Sequence, residues 1–383
     1  MKKIGVYIHI PFCKQKCYYC DFVSFANQNV LQKEYFKELK NEIKDFFSKN
    51  EYEISTIYIG GGTPSFVDSS FIKEILELIP QNHADETTIE VNPGTVDIDK
   101  LKLYKEAGIN RLSIGLQSTQ DRLLKQIGRI HNFEDFLRTY NMAKDIGFDS
   151  INVDLMIGLP NQSIQGIKQS LEIITNLEPK HISVYSLIVE ENTKIADLIA
   201  SNSLQLPDEE LERNMYWYVK NYLELKGYNH YEISNFAKKG YESKHNLDCW
   251  SQKEYIGFGL AAHSYLNNIR FSNTDDLNKY LNNGWKNKTT QEEQDEISKK
   301  YEYMLLGLRK IEGISIQKFK EKFGENPLFI FRNELNKLVD EGLLTVENDI
   351  IKLTNKGLDL ANLVWEEFVL FGDGEEIGQK NPI

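Results

Sequence analysis

Cys13, Cys17 and Cys20 fall within eight residues, in the run Tyr7-Ile-His-Ile-Pro-Phe-Cys-Lys-Gln-Lys-Cys-Tyr-Tyr-Cys-Asp-Phe22. The spacing C-x3-C-x2-C supplies three thiolates and omits the fourth ligand that closes a structural zinc site or a simple electron-transfer cluster. One metal position is then left open to a small molecule, which points to a 4Fe-4S cluster with one reactive iron. Two plainer alternatives stand beside it: a zinc site completed by a distant ligand, and an incidental group of thiols. Disulfides are disfavoured by only four cysteines in 383 residues and by the lack of a secretory signal.

Such a loop needs a rigid frame, and short β-branched or aromatic runs alternating with longer amphipathic stretches supply one. Strands are predicted over 4–9, 56–59, 87–91, 111–114, 150–156 and 181–187. Helices are predicted over 31–48, 69–79, 97–107 and 163–176, with helical sequence before 146. Strict alternation implies right-handed crossovers and a parallel sheet. The fold class is therefore α/β, with six units forming a partial (β/α)6 barrel of TIM type.

Function in such barrels gathers at the C-terminal strand ends. Here those ends carry the cysteine loop, Gly60-Gly-Gly-Thr-Pro64, Glu90-Val-Asn-Pro-Gly-Thr95, Ser113-Ile-Gly-Leu-Gln117, and Asn152-Val-Asp154 followed by Gly158-Leu-Pro160. Polar or glycine-rich residues at successive ends predict one composite site at the barrel mouth. The glycine run suits close approach of backbone N–H groups to a charged ligand, although a tight turn explains it equally well. Glu90 can accept hydrogen bonds from a ribose or an ammonium group. Gln117, Arg129 and Asp154 add polar anchors, Arg129 being suited to a carboxylate. Taken singly, each also fits a structural salt bridge.

The barrel is assigned to residues 1–205 and a cover or connecting region to 206–295. A winged-helix-like α+β domain is assigned to 296–370, and a loosely held acidic tail to 371–383. Within the cover, the Tyr216-Trp-Tyr218 stretch is expected to pack against the barrel, and His9 and His263 are expected to be structural or pocket-lining. A net charge of −12 argues against a general nucleic-acid binder, and nine basic against eight acidic residues from Arg309 to Lys356 give DNA binding little support. No apolar run approaches the roughly 18 to 20 residues of a membrane span, so the default location is cytoplasmic.

The segments Tyr7-Ile-His-Ile-Pro-Phe-Cys, Gly-Gly-Gly-Thr-Pro, Glu-Val-Asn-Pro-Gly-Thr, Arg-Leu-Ser-Ile-Gly-Leu-Gln-Ser, Asp-Leu-Met-Ile-Gly-Leu-Pro and Tyr-Glu-Ile-Ser-Asn-Phe-Ala together resemble the oxygen-independent coproporphyrinogen oxidase family of radical SAM proteins. The resemblance implies that Cys13, Cys17 and Cys20 hold a 4Fe-4S cluster. It also implies that Tyr7, Tyr19, Gly61, Gly62, Thr63, Glu90, Gln117, Arg129 and Asp154 line a pocket for S-adenosylmethionine (SAM). In the family a reductant such as flavodoxin or ferredoxin supplies an electron, and SAM is cleaved to methionine and a 5′-deoxyadenosyl radical.

The decarboxylating members carry a fourth cysteine where this chain has Phe22, and they have a longer extension before Tyr7. The chain is more similar to the family's heme-chaperone branch, which keeps three cysteines followed by Asp-Phe and adds H-N-x-x-Y-W. His245-Asn246-Leu247-Asp248-Cys249-Trp250 matches that motif at His, Asn and Trp, with Cys249 in place of Tyr. This implies heme as a third cofactor contacted by His245, and Cys249 as a second candidate ligand. It also implies an acceptor protein that receives the heme, with membrane contact only through that acceptor, and no catalytic residue. The alternatives are oxidative decarboxylation of coproporphyrinogen III to protoporphyrinogen IX, and a nucleic-acid or purely structural iron-sulfur protein.

Overall fold

A computed structural model describes residues 1–80 and 84–369; the tail expected over 371–383 lies outside the described residues. Six strands, β1 (Lys3–Ile10), β2 (Glu53–Gly61), β3 (Glu86–Val91), β4 (Arg111–Gln117), β5 (Ser150–Ile157) and β6 (His181–Ser186), pair in parallel in chain order. Both faces of the sheet are covered, and all seven residues of β4 are buried. This is why the runs read as continuously apolar rather than alternating.

The crossovers are helical: α1 (Gln32–Lys49), α2 (Ser69–Leu76), α3 (Ile98–Glu106), α4 (Asp121–Gln126), α5 (Phe133–Asp145) and α6 (Ile164–Asn176). Side chains satisfy the first free N–H groups of four of them. Asp68 caps α2, Asp97 caps α3, Ser163 caps α6, and Asn132 with Asp135 forms a reciprocal capping box on α5. The partial (β/α)6 barrel read from the alternation is the observed core.

The span 206–295 does more than cover it. Tyr255–Phe258 adds a seventh parallel strand beside β1, and His263–Leu266, Ile269–Ser272 and Thr289–Glu293 continue the sheet outward. On the opposite edge Asn235–Ala237 pairs antiparallel with β6 and Asn229–Glu232 follows it. Both edges of the barrel sheet are thereby extended by short ribbons, which moves the open edges onto strands of five and four residues. The helix Glu209–Leu225 buries Met215, Val219 and Leu223, and Tyr216 and Tyr218 pack against the barrel core as expected.

Two compact units result, one from Met1–Asp248 with Lys253–Glu292, the other from Cys249–Gln252 with the described residues after Glu292. The second unit carries the helices Glu296–Gly307, Ile316–Phe323 and Arg332–Asp340. Its three-stranded antiparallel sheet is ordered Ile314–Ser315, Ile350–Leu353, Leu344–Glu347. Phe319, Phe331, Leu335, Leu338 and Ile351 form its core. Among the described residues no helix is long and apolar enough to cross a membrane.

Candidate functional site

The chain leaves β1 through Pro11 into Phe12–Cys13, which pairs with Phe25–Ala26, so the cysteine loop is pinned where it begins and where it returns. Between those points Tyr18 N–H donates to Ile127 O at 3.0 Å, Gln15 Nε2 donates to Gly128 O at 3.0 Å, and Tyr18 O accepts from Ile195 N–H at 2.8 Å. The loop therefore lies against the segment that follows β4. Cys13 is buried, Cys17 and Cys20 are half-buried, and all three are free thiols.

Two donors face the sulfurs: Thr63 Oγ1 lies 3.5 Å from Cys13 Sγ and Arg129 Nη1 lies 3.5 Å from Cys17 Sγ. Burial raises the Cys13 thiol pKa and pushes that of Cys20 up to about 11, so a bound cation is what would hold these groups as thiolates. Among the described residues no three His, Cys, Asp or Glu side chains are grouped as ligands of a single metal ion.

The glycine run at the end of β2 is required by space. Gly61 has φ +112°, and a Cβ there would sit 2.7 Å from the His9 imidazole; one on Gly62 would sit 3.0 Å from Cys13 Sγ and from Ile10 O. Thr63 then accepts from Asn92 Nδ2 at 2.9 Å, and Asn92 Oδ1 accepts from Arg129 Nη2 at 2.8 Å. Arg129 also donates to Gly115 O at 2.6 Å, while its Nε is buried without a partner.

Glu90 accepts from Tyr58 OH at 2.9 Å and from Gly61 N–H at 3.2 Å. Burial nonetheless lifts its pKa to about 7. Burial also raises Asp154, whose Oδ1 accepts from Asn152 Nδ2 at 2.6 Å and from Ser113 Oγ at 3.4 Å. Gln117 takes φ +70° at the end of β4 and accepts from Tyr185 OH at 2.9 Å. Tyr7 OH meets His9 Nδ1 at 3.0 Å and His9 Nε2 meets Val23 O at 2.8 Å, so Nε2 carries the proton and Nδ1 accepts from the phenol. Burial drives the His9 pKa down to about 4 and keeps the ring neutral. Tyr19 packs with Leu123, Ile127 and Met156 beneath the loop.

Hydrogen bonds thus run from Cys13 through Thr63, Asn92 and Arg129 to Cys17, and link Gly61 to Glu90. His245 stands elsewhere. It packs at the opposite, N-terminal half of the strands, where its Nδ1 meets Thr56 Oγ1 at 2.8 Å and its backbone N–H donates to Glu86 Oε1 at 3.2 Å. Burial lowers its pKa to about 4. Sequence reasoning passed over Tyr58, Asn92 and Tyr185, which orient Glu90, Arg129 and Gln117. The signal for the first two was strand periodicity, since Tyr58 shares a face with Gly60 and Asn92 one with Glu90.

The model of the radical SAM superfamily matches residues 7–174, and that of the HemN C-terminal domain matches residues 297–360. The heme chaperone HemW of Bacillus subtilis (strain 168) is 39% identical over 375 residues, covering 95% of this chain and 99% of the relative. The heme chaperone HemW of Escherichia coli (strain K12) is 33% identical over 379 residues, covering 96% and 98%. Among solved structures, the coproporphyrinogen III oxidase HemN of Escherichia coli superposes with a TM-score of 0.83 at 22% identity, covering 96% of this chain and 90% of that one. That likeness confirms the fold of the barrel with its C-terminal domain.

Proposed function

The chain belongs to the heme chaperone HemW family within the radical SAM superfamily, and from that premise we propose that it binds a 4Fe-4S cluster, SAM and heme and delivers the heme to an acceptor protein. The cluster is assigned to Cys13, Cys17 and Cys20. SAM is assigned to Tyr7, Tyr19, Gly61, Gly62, Thr63, Glu90, Gln117, Arg129 and Asp154. Heme is assigned to a contact with His245. The protein works in the cytoplasm, takes electrons from a flavodoxin- or ferredoxin-like donor, and meets a membrane only through its acceptor.

The carrying observation is the donor set of the loop: three free thiols, with Phe22, 63% exposed, where the decarboxylating members have a fourth. When bound, the cluster supplies the electron for reductive chemistry on SAM. The residues around it bind and orient. Arg129, fixed by Asn92 and Gly115 O, keeps a half-buried positive charge beside Cys17 and has a buried Nε–H without a partner, which suits a carboxylate. Glu90 and Asp154 are half-buried acceptors matched to ribose hydroxyls or an ammonium group.

A pH dependence follows from Glu90. Its carboxylate accepts fully only when ionised, and its pKa stands near 7. SAM affinity should therefore tighten as pH rises from about 6 to about 8, by up to roughly tenfold, and Glu90→Gln should flatten the profile. Equilibrium dialysis with labelled SAM on the reconstituted protein checks this.

At His245 the Thr56 hydroxyl meets Nδ1, and in the tautomer where it accepts the Nδ1 proton the lone pair of Nε2 would be available to iron. The ring is neutral and so ready to ligate, although at 7% exposure it needs the Lys244–Trp250 segment to give way. Anaerobic titration should show one heme per chain in the wild type and at least about tenfold weaker binding in His245→Ala, tenfold being ~1.4 kcal/mol, if the imidazole holds the heme. The same preparation, given SAM and a reductant, should leave coproporphyrinogen III unchanged; turnover to protoporphyrinogen IX would overturn the chaperone reading.

A further inference from the structure

We propose that Tyr58 is a positioning residue that makes occupancy of the SAM pocket depend on the state of the His245 imidazole. The proposal rests on the reading above, with heme at His245 and SAM at Glu90. Tyr58 lies on β2 between the two. Its phenol donates to Glu90 Oε1 at 2.9 Å, and its ring stacks on the imidazole with centroids 5.3 Å apart and planes 28° apart.

There is little slack in that arrangement. The Cβ that Gly60 lacks would lie 3.0 Å from both Tyr58 Cε1 and Glu90 Oε1, so ring and carboxylate are packed against the same patch of backbone. The far side of the imidazole is held as firmly. Thr56 binds its Nδ1, and Glu86 accepts from the backbone N–H groups of Lys244 and His245 at 3.0 and 3.2 Å.

Both sites hang on the same two neighbouring strands. β2 carries Thr56, Tyr58 and Gly61, while β3 carries Glu86 and Glu90, in the register Thr56↔Glu86 and Tyr58↔Thr88. From Glu86 to Glu90 the strand rises about 13 Å, at roughly 3.3 Å per residue. One aromatic side chain bridges most of that distance. An imidazole that turns toward iron changes its stack on Tyr58, and a phenol that follows it shifts the hydrogen bond that orients Glu90. Because affinity coupling is reciprocal, SAM must act on heme by the same factor as heme acts on SAM.

The test is a pair of titrations on the reconstituted full chain, heme with and without SAM and SAM with and without heme, for the wild type and Tyr58→Phe. The variant keeps the ring and its stack and removes only the bond to Glu90. In the wild type each ligand should change the other's dissociation constant by one common factor of about 5 to 50. In Tyr58→Phe the factor should fall to about one with both ligands still bound, a loss that a merely structural role would not cause. Independent constants in the wild type, or an undiminished factor in Tyr58→Phe, would sink the proposal while leaving the two-ligand reading intact. Failure of the wild type to bind heme at all would instead remove the reading, and the proposal with it.

Discussion

Cys17→Ser is expected to abolish cluster assembly, with iron falling from about four per chain to near zero after anaerobic reconstitution. A 4Fe-4S cluster held by these three thiolates would already have one iron without a protein ligand. Replacing a soft thiolate by a weakly acidic hydroxyl strips a second, and the loop has no other sulfur to substitute. The change also removes the sulfur that faces Arg129 Nη1 at 3.5 Å, leaving Asn92 and Gly115 O as the guanidinium's established acceptors. SAM affinity should fall with the cluster, because the open iron is the cofactor's main anchor in this superfamily. Heme affinity measured without SAM should stay within about twofold, since His245 is held by Thr56 and Glu86 at the other end of the strands. Iron and sulfide analysis beside the heme titration reads both effects. A variant that retained four irons would show that Cys17 is not a ligand, and simultaneous loss of heme would show that the two sites are not separate.

The separation of those sites marks where sequence reasoning stopped. The barrel was legible because each βα unit announces itself locally: a β-branched run, a cap such as Asp97 or Ser163, then an amphipathic helix. The mouth was legible because strand ends follow directly from that alternation, which brought Thr63, Glu90, Arg129 and Asp154 into one reading with the cysteines. The strand Tyr255–Phe258 carries no such signal. It is four residues long, contains Gly257, and reaches β1 from some 250 positions away, so only tertiary pairing identifies it. His245 was visible as a motif but not as a place: its position beneath Tyr58 depends on Glu86 and Thr56, which no local pattern connects to it.

The partners of Glu42 were hidden for the same reason, and removal of Glu42 should produce the largest loss of stability. The helical period sets it on the apolar face of α1 with Tyr35 and Leu39, where a carboxylate is out of place without partners, and it is 3% exposed. Its Oε2 accepts from Gly259 N–H at 2.9 Å and Tyr280 OH at 2.8 Å, and its Oε1 from Asn273 Nδ2 at 2.7 Å and Lys288 Nζ at 3.2 Å. All four donors come from the segment that extends the barrel sheet past β1. Gly259 itself, at φ +99°, leaves 2.6 Å between a would-be Cβ and His9 O, so the turn has no room to relax toward other acceptors. Glu42→Ala therefore strands Gly259 N–H and Tyr280 OH and leaves Asn273 Nδ2 and the half-buried Lys288 ammonium with one acceptor each, Gly259 O and Asn273 Oδ1. Truncating one partner of a buried charge pair costs about 3–5 kcal/mol, a large share of the roughly 5–15 kcal/mol that holds a domain folded. The denaturant midpoint of the first transition should drop accordingly. Glu42→Gln should recover part of the loss, because the amide oxygen keeps two acceptor positions while its NH2 opposes the others. A change below about 1 kcal/mol in Glu42→Ala would mean that water replaces the carboxylate. The segment from Gly259 to Lys288 would then be held to the barrel by strand pairing and apolar packing alone.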